Sequence, residues 1–290
     1  MASKPRVCLI VNLLKEGSRA LGDAVRAELE SRGYSVDPCV YDGSIQAVPD
    51  RDYAFAVSLG GDGSVLFAAR SLAPKGVAIL PVNLGRLGFL AEIGKDEWRE
   101  CLGLFLDGGL KPMRRLMLEA ELRGESGSGD RFSALNEGAI TGSGAAKLIS
   151  FGARVVSTGP ECCAQDLGRY RADGLLISTP TGSTAYSLAA GGPILPPNIE
   201  AFVFNPICPF TLSHRPLVLP SESSVEVRMD DEQRGEMILT MDGQVSRPLR
   251  GGDLVVFRAA AYPALIVPSG RMSFYDVLRT KLSWSGGRDA

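Results

Sequence analysis

Residues 59–69 read LGGDGSVLFAA: one carboxylate, Asp62, set in a glycine turn between two apolar stretches. Leu59 closes AFAVSL, a run of strand length, and Val65 opens a run with helical spacing. Gly60, Gly61 and Gly63 therefore occupy a strand-to-helix turn, which in an open α/β sheet faces the ligand crevice. Glycines let backbone N–H groups approach a phosphate closely, and a helix start favours negative charge. A carboxylate repels phosphate. Asp62 makes sense there if it accepts a proton from a hydroxyl nucleophile, or holds a metal that bridges phosphates. The competing reading is a tight turn with Asp62 as helix N-cap.

Working outward, RVCLIVN (6–12) and VAILPVN (77–83) are continuous apolar runs of the kind that form strands covered on both faces. From Ser18 to Arg32, Ala20, Leu21, Ala24, Val25, Ala27 and Leu29 keep helical spacing until Gly33 stops them. YSVDPCV (34–40) reads as a further strand, Ser64 to Leu72 as a helix, and Asp96 to Leu106 as another, ended by Gly108-Gly109. Strands alternating with helices imply right-handed crossovers and a mostly parallel, doubly wound sheet over residues 1–112. After Pro112 the pattern changes. RRLMLEAELR and DRFSALNEGAIT flank the polar GESGSG, a hairpin-like connection. Short apolar runs follow at intervals of roughly ten residues, the signature of an all-β, sandwich-like domain over 113–267. One helical interruption is expected from Thr184 to Ala190. A last helix, FYDVLRTKL, lies in a segment (268–290) expected to pack back on the first domain.

Composition narrows the function. The 290 residues are 45% hydrophobic and 22% charged with a net charge of −2, which argues against a nucleic-acid or polybasic membrane surface. No run approaches the ~20 apolar residues that cross a bilayer. The apolar start, Val7 to Leu14, lacks the small-residue cleavage site of a secretory signal, so a cytoplasmic location is expected. With six cysteines, no C-x-x-C and a single histidine, His214, no Cys/His zinc cluster can be assembled. All six are read as reduced thiols, the adjacent Cys162 and Cys163 included.

Two further stretches carry chemistry. In VNLGRLGFLAE (82–92), Gly85 and Gly88 flank Arg86 after the strand ending at Asn83, so a second glycine turn would border the same crevice as the first. In RADGLLISTPTGSTAYSLAAGGPI (171–194), a strand ends in small and hydroxyl residues before a helix. Ser178, Thr179, Thr181, Ser183 and Thr184 would offer hydroxyls to a polar ligand, and Tyr186 could stack on a ring. Asp173 before that strand, and Asn136-Glu137 in ALNEGAI, are polar groups in apolar surroundings. Such groups need partners, which an adenine edge and ribose hydroxyls would supply.

GGDGSVL, NLGRLGFLAE, LNEGAI, DGLLISTPTGSTAYSLAAGGPI and MDGQ occur together in the order and spacing of NAD kinases, which the chain resembles over residues 54–245. The resemblance implies transfer of the ATP γ-phosphoryl group to the 2′-hydroxyl of the adenosine ribose of NAD. It implies Asp62 as proton acceptor, lining the dinucleotide site with Gly63, and Asn136 and Glu137 reading adenine and ribose. Arg171 and Asp173 match binding positions. So do Thr184, Ala185 and Tyr186, followed by Ser187, Leu188 and Ala189, and Gln244 closes the site. Gly60, Gly61, Gly63, Ser64, Gly85 and Arg86 would form the phosphate turns for ATP. No protein metal site is implied; a divalent cation, magnesium first, would arrive with ATP. Family members are usually homodimers or homotetramers with part of the NAD site shared, and some accept inorganic polyphosphate. The chain departs from the family pattern at Ser64 (commonly Thr), Phe67 (His or Arg in some members) and Ala189 (often Ser). A lipid kinase of the diacylglycerol or sphingosine type shares the G-G-D-G turn, and a non-catalytic NAD(P)-binding regulator would share the fold.

Overall fold

The computed structural model describes residues 4–43, 47–125, 127–143, 148–157, 164–211, 213–233 and 235–284. Cys162 and Cys163 lie outside them; Cys8, Cys39, Cys101 and Cys208 are free thiols. Two compact units divide the chain, one running to Arg114 and resuming at Pro263, the other spanning Arg115–Tyr262.

The first unit opens with β1 (Arg6–Asn12), α1 (Ser18–Ser31), β2 (Ser35–Tyr41), β3 (Phe55–Gly60), α2 (Asp62–Leu72) and β4 (Ala78–Asn83). The short β5 (Ile93–Gly94), α3 (Trp98–Leu106) and β6 (Met113–Arg115) follow. The second unit holds β7 (Leu118–Gly124), β8 (Gly127–Ala134), β9 (Glu137–Gly142), β10 (Ile149–Val156), β11 (Ala164–Ala172) and β12 (Gly174–Ser178). After a 3-10 turn at Gly182–Thr184 come α4 (Tyr186–Ala189), β13 (Ala201–Ile207), β14 (Leu217–Pro220), β15 (Ser224–Met229), β16 (Met237–Met241), β17 (Val245–Leu249) and β18 (Leu254–Ala259). β19 (Ala264–Ile266) and α5 (Phe274–Leu282) return to the first unit.

The first sheet runs β2-β1-β3-β4-β19-β6, with β5 also on β4. β1 lies parallel to β2 and β3, and β4 parallel to β3, β5 and β19. The central β3 and β4 are buried at every residue, as strands covered on both faces must be. Pro38 sits in β2, an edge strand, where a missing N–H is tolerated. α2 begins at Asp62, two residues before the expected Ser64. The extended Gly61 is its N-cap and makes no side-chain cap bond, so Asp62 is the first helical residue and not the cap. α3, by contrast, starts at Trp98, later than the expected Asp96.

The second unit is a sandwich of two antiparallel sheets, β11-β10-β15-β18-β7-β8 and β14-β13-β12-β9-β16-β17. One apolar core joins their inner faces: Leu118, Phe151, Val227 and Phe257 from the first, Ile140, Ile177, Phe204 and Leu239 from the second. The helix expected over Thr184–Ala190 is shorter. A 3-10 turn and one helical turn are separated at Ala185, where φ −104° and ψ −126° break the helix. Hydroxyls that bond nearby carbonyls compete with helical pairing, and Ser183 and Thr184 do so at the start of this segment, donating to the Pro180 and Thr181 carbonyls.

Phe257 is fully buried, and its ring lies 2.5 Å from where a Cβ on Gly138 would be. Phe257→Ala should cost the second unit about 3–5 kcal/mol through the cavity it leaves, measured as a lowered urea midpoint with unchanged slope.

Candidate active site

In the first unit, β3 and β4 end side by side: Gly60 pairs with Asn83, and the Leu84 N–H donates to the Gly60 carbonyl at 2.8 Å. Neither turn stands alone. The Asp62 carboxylate accepts three consecutive backbone N–H groups of the second turn: Phe89 at 2.9 Å on Oδ2, and Leu90 at 3.1 Å and Ala91 at 2.9 Å on Oδ1. Asn83, buried, completes the loop. Its amide donates to the carbonyls of Arg86 and Ala91, and its Oδ1 accepts from Gly85 N–H. Close contact explains two of the glycines. A Cβ on Gly88 would fall 1.9 Å from Asp62 Oδ1, and one on Gly60 would fall 2.1 Å from Ser64 Oγ. The two turns thus lock together instead of merely bordering one crevice. Gly63, Gly85 and Arg86 remain exposed, and Ser64 is half-buried. The second turn also walls a cleft of about 490 Å³ lined by Asn83, Gly85, Glu92, Lys95, Glu97 and Arg271 among others.

In the second unit, three segments meet at one end of the second sheet. Ser178, closing β12, pairs with Glu137, opening β9, and Met241, closing β16, pairs with Gly138. The stretch 135–137 is held by its backbone. Asp242 Oδ2 accepts from Leu135 N–H at 3.0 Å, and Oδ1 accepts from Asn136 at 2.7 Å and Glu137 at 3.3 Å. On the carbonyl side, Thr179 Oγ1 donates to Leu135 at 2.5 Å, Thr179 N–H to Asn136 at 2.8 Å, and Asp242 N–H to Glu137 at 2.9 Å. All six backbone polar groups are therefore satisfied. Two buried side-chain atoms here are not: Asn136 Oδ1 and Glu137 Oε2 have no hydrogen-bond partner, and nor does Thr181 Oγ1 nearby. Buried polar atoms need partners, and these are open to one from outside the chain.

The hydroxyl run divides differently from the expectation that all of it faces a ligand. Ser178, Thr179, Ser183 and Thr184 donate to backbone carbonyls at Thr179, Leu135, Pro180 and Thr181 respectively. They bind the loop to the strand end. Gly182 lies so close that a Cβ would sit 2.1 Å from the Asn136 carbonyl oxygen. Ser187 is fully buried, and Asn205 Nδ2 donates to its carbonyl and its hydroxyl. Tyr186 and Ala189 are exposed, while Thr184, Ala185 and Leu188 are partly so. Gln244 is in the turn after β16, beside Asp242.

Arg171 and Asp173 are not brought to this end. Gly174 pairs with Thr141 while Ser178 pairs with Glu137, so about 13 Å of strand lies between them at ~3.3 Å per residue. Arg171 is instead near Phe210, whose ring its guanidinium overlies at 5.6 Å and whose N–H bonds its carbonyl. Asn83 in the first unit, and Asp242 and Thr179 in the second, hold the loops described, and motif reading passed over them as strand-end, turn and ligand groups.

Burial, and after it the Asp242 carboxylate, push the Glu137 carboxyl up from 4.5 to about 8. A raised carboxyl pKa in the folded state favours folding at low pH, where the group is neutral, and this is lost as pH rises from 4.5 through about 8. The ligand-free protein should therefore melt at falling temperature between pH 6 and pH 9, and Glu137→Gln should flatten that slope. A slope unchanged in the variant would count against a buried neutral Glu137.

Comparison with known proteins agrees with both units. The family model of the ATP-NAD kinase N-terminal domain matches residues 18–110, and that of the ATP-NAD kinase C-terminal domain matches residues 160–269. The NAD kinase of Treponema denticola is 38% identical over 283 residues, 97% of each chain. That of Geobacter sulfurreducens is 44% identical over 236 residues, covering 79% of this chain and 78% of its own. Among solved structures, yeast NADH kinase complexed with NADH superposes with a TM-score of 0.81 at 22% identity, covering 100% of this chain and 89% of that one. An NAD kinase from Archaeoglobus fulgidus in complex with ATP gives 0.75 at 24% identity, covering 96% and 98%. At that identity the structures speak for the fold, and the sequence relatives, one of them alike over 97% of the chain, decide membership: this chain belongs to the NAD kinase family.

Proposed function

We propose that this NAD kinase transfers the γ-phosphoryl group of ATP to the 2′-hydroxyl of the adenosine ribose of NAD, with Asp62 as the proton acceptor. The observation that carries the assignment is the fixed Asp62 carboxylate. Of the roughly four acceptor positions on a carboxylate, three take the amides of Phe89, Leu90 and Ala91, and Oδ2 takes one of the three. Oδ2 is left with room for one hydroxyl, in an orientation set by the backbone.

The step balances simply. The 2′-oxygen bonds to Pγ, the bond from Pγ to the β,γ-bridging oxygen breaks, ADP leaves, and the 2′-hydroxyl proton passes to Asp62. Because the transition state of phosphoryl transfer is loose, orientation and charge neutralisation matter more than base strength. The exposed Gly63 and Gly85, with Arg86, are the proposed phosphate contacts, together with Gly60, Gly61 and Ser64 behind them. No group of three or more His, Cys, Asp or Glu that could hold a metal ion occurs among the described residues. No protein-held ion is assigned, and the divalent cation, magnesium by preference, is proposed to enter with ATP.

For NAD, the unpartnered Asn136 Oδ1 and Glu137 Oε2 suit the amino edge of adenine and a ribose hydroxyl. Thr184, Ala185, Tyr186, Leu188 and Ala189 offer the adjoining surface, with Ser187 supporting it from beneath and Gln244 beside it. The second unit is thereby the NAD-binding domain. Arg171 and Asp173, at the far end of β12, suit a site completed by a neighbouring subunit, in keeping with a homodimer or homotetramer. No described helix is long and apolar enough to cross a membrane, and a cytoplasmic enzyme is the reading proposed.

The test is NADP formation from NAD, magnesium and ATP, with inorganic polyphosphate as alternative donor. Asp62→Asn should lower kcat by ~10²–10⁴-fold, the range of general-base catalysis, with KM for NAD little changed. Equal rates would remove Asp62 as base; no NADP from either donor by folded protein would overturn the assignment and favour a lipid hydroxyl as acceptor. Gly88→Ala, which drives a methyl into Asp62 Oδ1, should cost ~10²-fold in kcat through misplacement of the carboxylate, with Asp62 itself intact.

A further inference from the structure

Asp242 is a buried residue with an unusual backbone, φ +53°, in the left-handed region that non-glycine residues rarely occupy. A residue is held there when its surroundings demand it. The demand is visible. Its carboxylate collects the N–H groups of Leu135, Asn136 and Glu137, and its own N–H closes the ring by donating to the Glu137 carbonyl. These contacts join positions more than a hundred residues apart in sequence. They also set a carboxylate beside the Glu137 carboxyl, an arrangement unfavourable on charge grounds alone.

Resting on the reading that Asn136 and Glu137 contact NAD, we infer that Asp242 is the positioning residue of the NAD site: it fixes the bend at 135–137 that presents Asn136 Oδ1 and Glu137 Oε2 to the ligand. A turn aspartate serving the fold alone could bond any loop amide. This one bonds the amides of the two residues whose side-chain oxygens are buried and unpartnered. A carboxylate is also the side chain that suits the task. Three N–H donors converge on its two oxygens, whereas an asparagine would turn its NH₂ toward one of them.

The charge leaves a second trace. Asp242 is the titrating group that acts on Glu137, after burial itself; from β12 the neighbours are Ser178 and Thr179, which do not titrate. Removing the Asp242 charge should move the Glu137 titration to lower pH; loosened packing would hydrate Glu137 and shift it the same way, so the return of NAD affinity with formate is what separates a lost carboxylate from a loosened fold.

The experiment compares wild type with Asp242→Asn, measuring the NAD dissociation constant by calorimetry and kcat with ATP, from pH 6 to pH 9. Asparagine tolerates left-handed backbone. The expected result is NAD affinity weakened ~10-fold or more, the equivalent of one lost charge-assisted hydrogen bond, a smaller change in kcat, and a pH profile displaced to lower pH. Should that variant not fold, Asp242→Gly keeps the turn, and formate, a carboxylate small enough to re-enter the amide cradle, should restore NAD affinity. Affinity within twofold of wild type and an unmoved pH profile would overturn the inference. So would failure of formate to rescue Asp242→Gly, or failure of both variants to fold, which would make Asp242 a residue of the fold alone. Wild type that binds NAD without forming NADP would sink the kinase assignment and leave this inference standing. Wild type that binds no NAD would sink both.

Discussion

A carboxylate that accepts three consecutive backbone amides is the contact on which the proposed chemistry depends, and it is made twice. Asp62 makes it with Phe89, Leu90 and Ala91; Asp242 makes it with Leu135, Asn136 and Glu137. Amides of successive residues converge on one point only if the chain curls around that point, so each aspartate imposes a bend on a segment distant in sequence. Bonds from N–H to an ionised carboxylate are about twice as strong as neutral ones, and three together hold a loop as firmly as a short piece of regular structure. In the first unit the aspartate so held is the proposed catalytic group. In the second, the aspartate holds the groups proposed to touch the ligand.

Close approach also explains four glycines. Gly88 gives way to Asp62, Gly60 to Ser64, Gly138 to Phe257 and Gly182 to the Asn136 carbonyl. None of these four has a positive φ. They are glycines for lack of space, and each marks where one segment has been pressed against another.

Much of the fold was legible in sequence because it follows from local period. RVCLIVN and VAILPVN have the length and continuous apolar character of covered strands, and the change to short runs after Pro112 pointed to an all-β sandwich. The G-G-D-G turn could be placed between strand and helix for the same reason, and Asp62 stood out because carboxylates are rare there. What could not be read was direction. A hydroxyl aimed at a ligand and one aimed at a carbonyl look alike in sequence, so Thr179 and Ser183 were expected to face outward and instead bind the loop from within. Asp242 in MDGQ has the look of an ordinary Asp-Gly hairpin turn, and nothing in its neighbours announces amides at 135–137. Arg171 and Asp173 sit close in sequence to the T-P-T-G segment, but a strand of five residues carries them to the other end of the sheet.

The contact between Gly182 and Asn136, with Thr179 bonded to the Leu135 and Asn136 carbonyls, welds a strand end to a loop more than forty residues further along the chain. A dinucleotide arriving at this end of the sheet would meet a single stiff surface and not two independent arms. The disorder that flexible loops lose when they close on a ligand has here been given up during folding. Affinity then depends chiefly on how well the ligand fits a shape already made, and tolerance for altered rings or sugars should be correspondingly narrow.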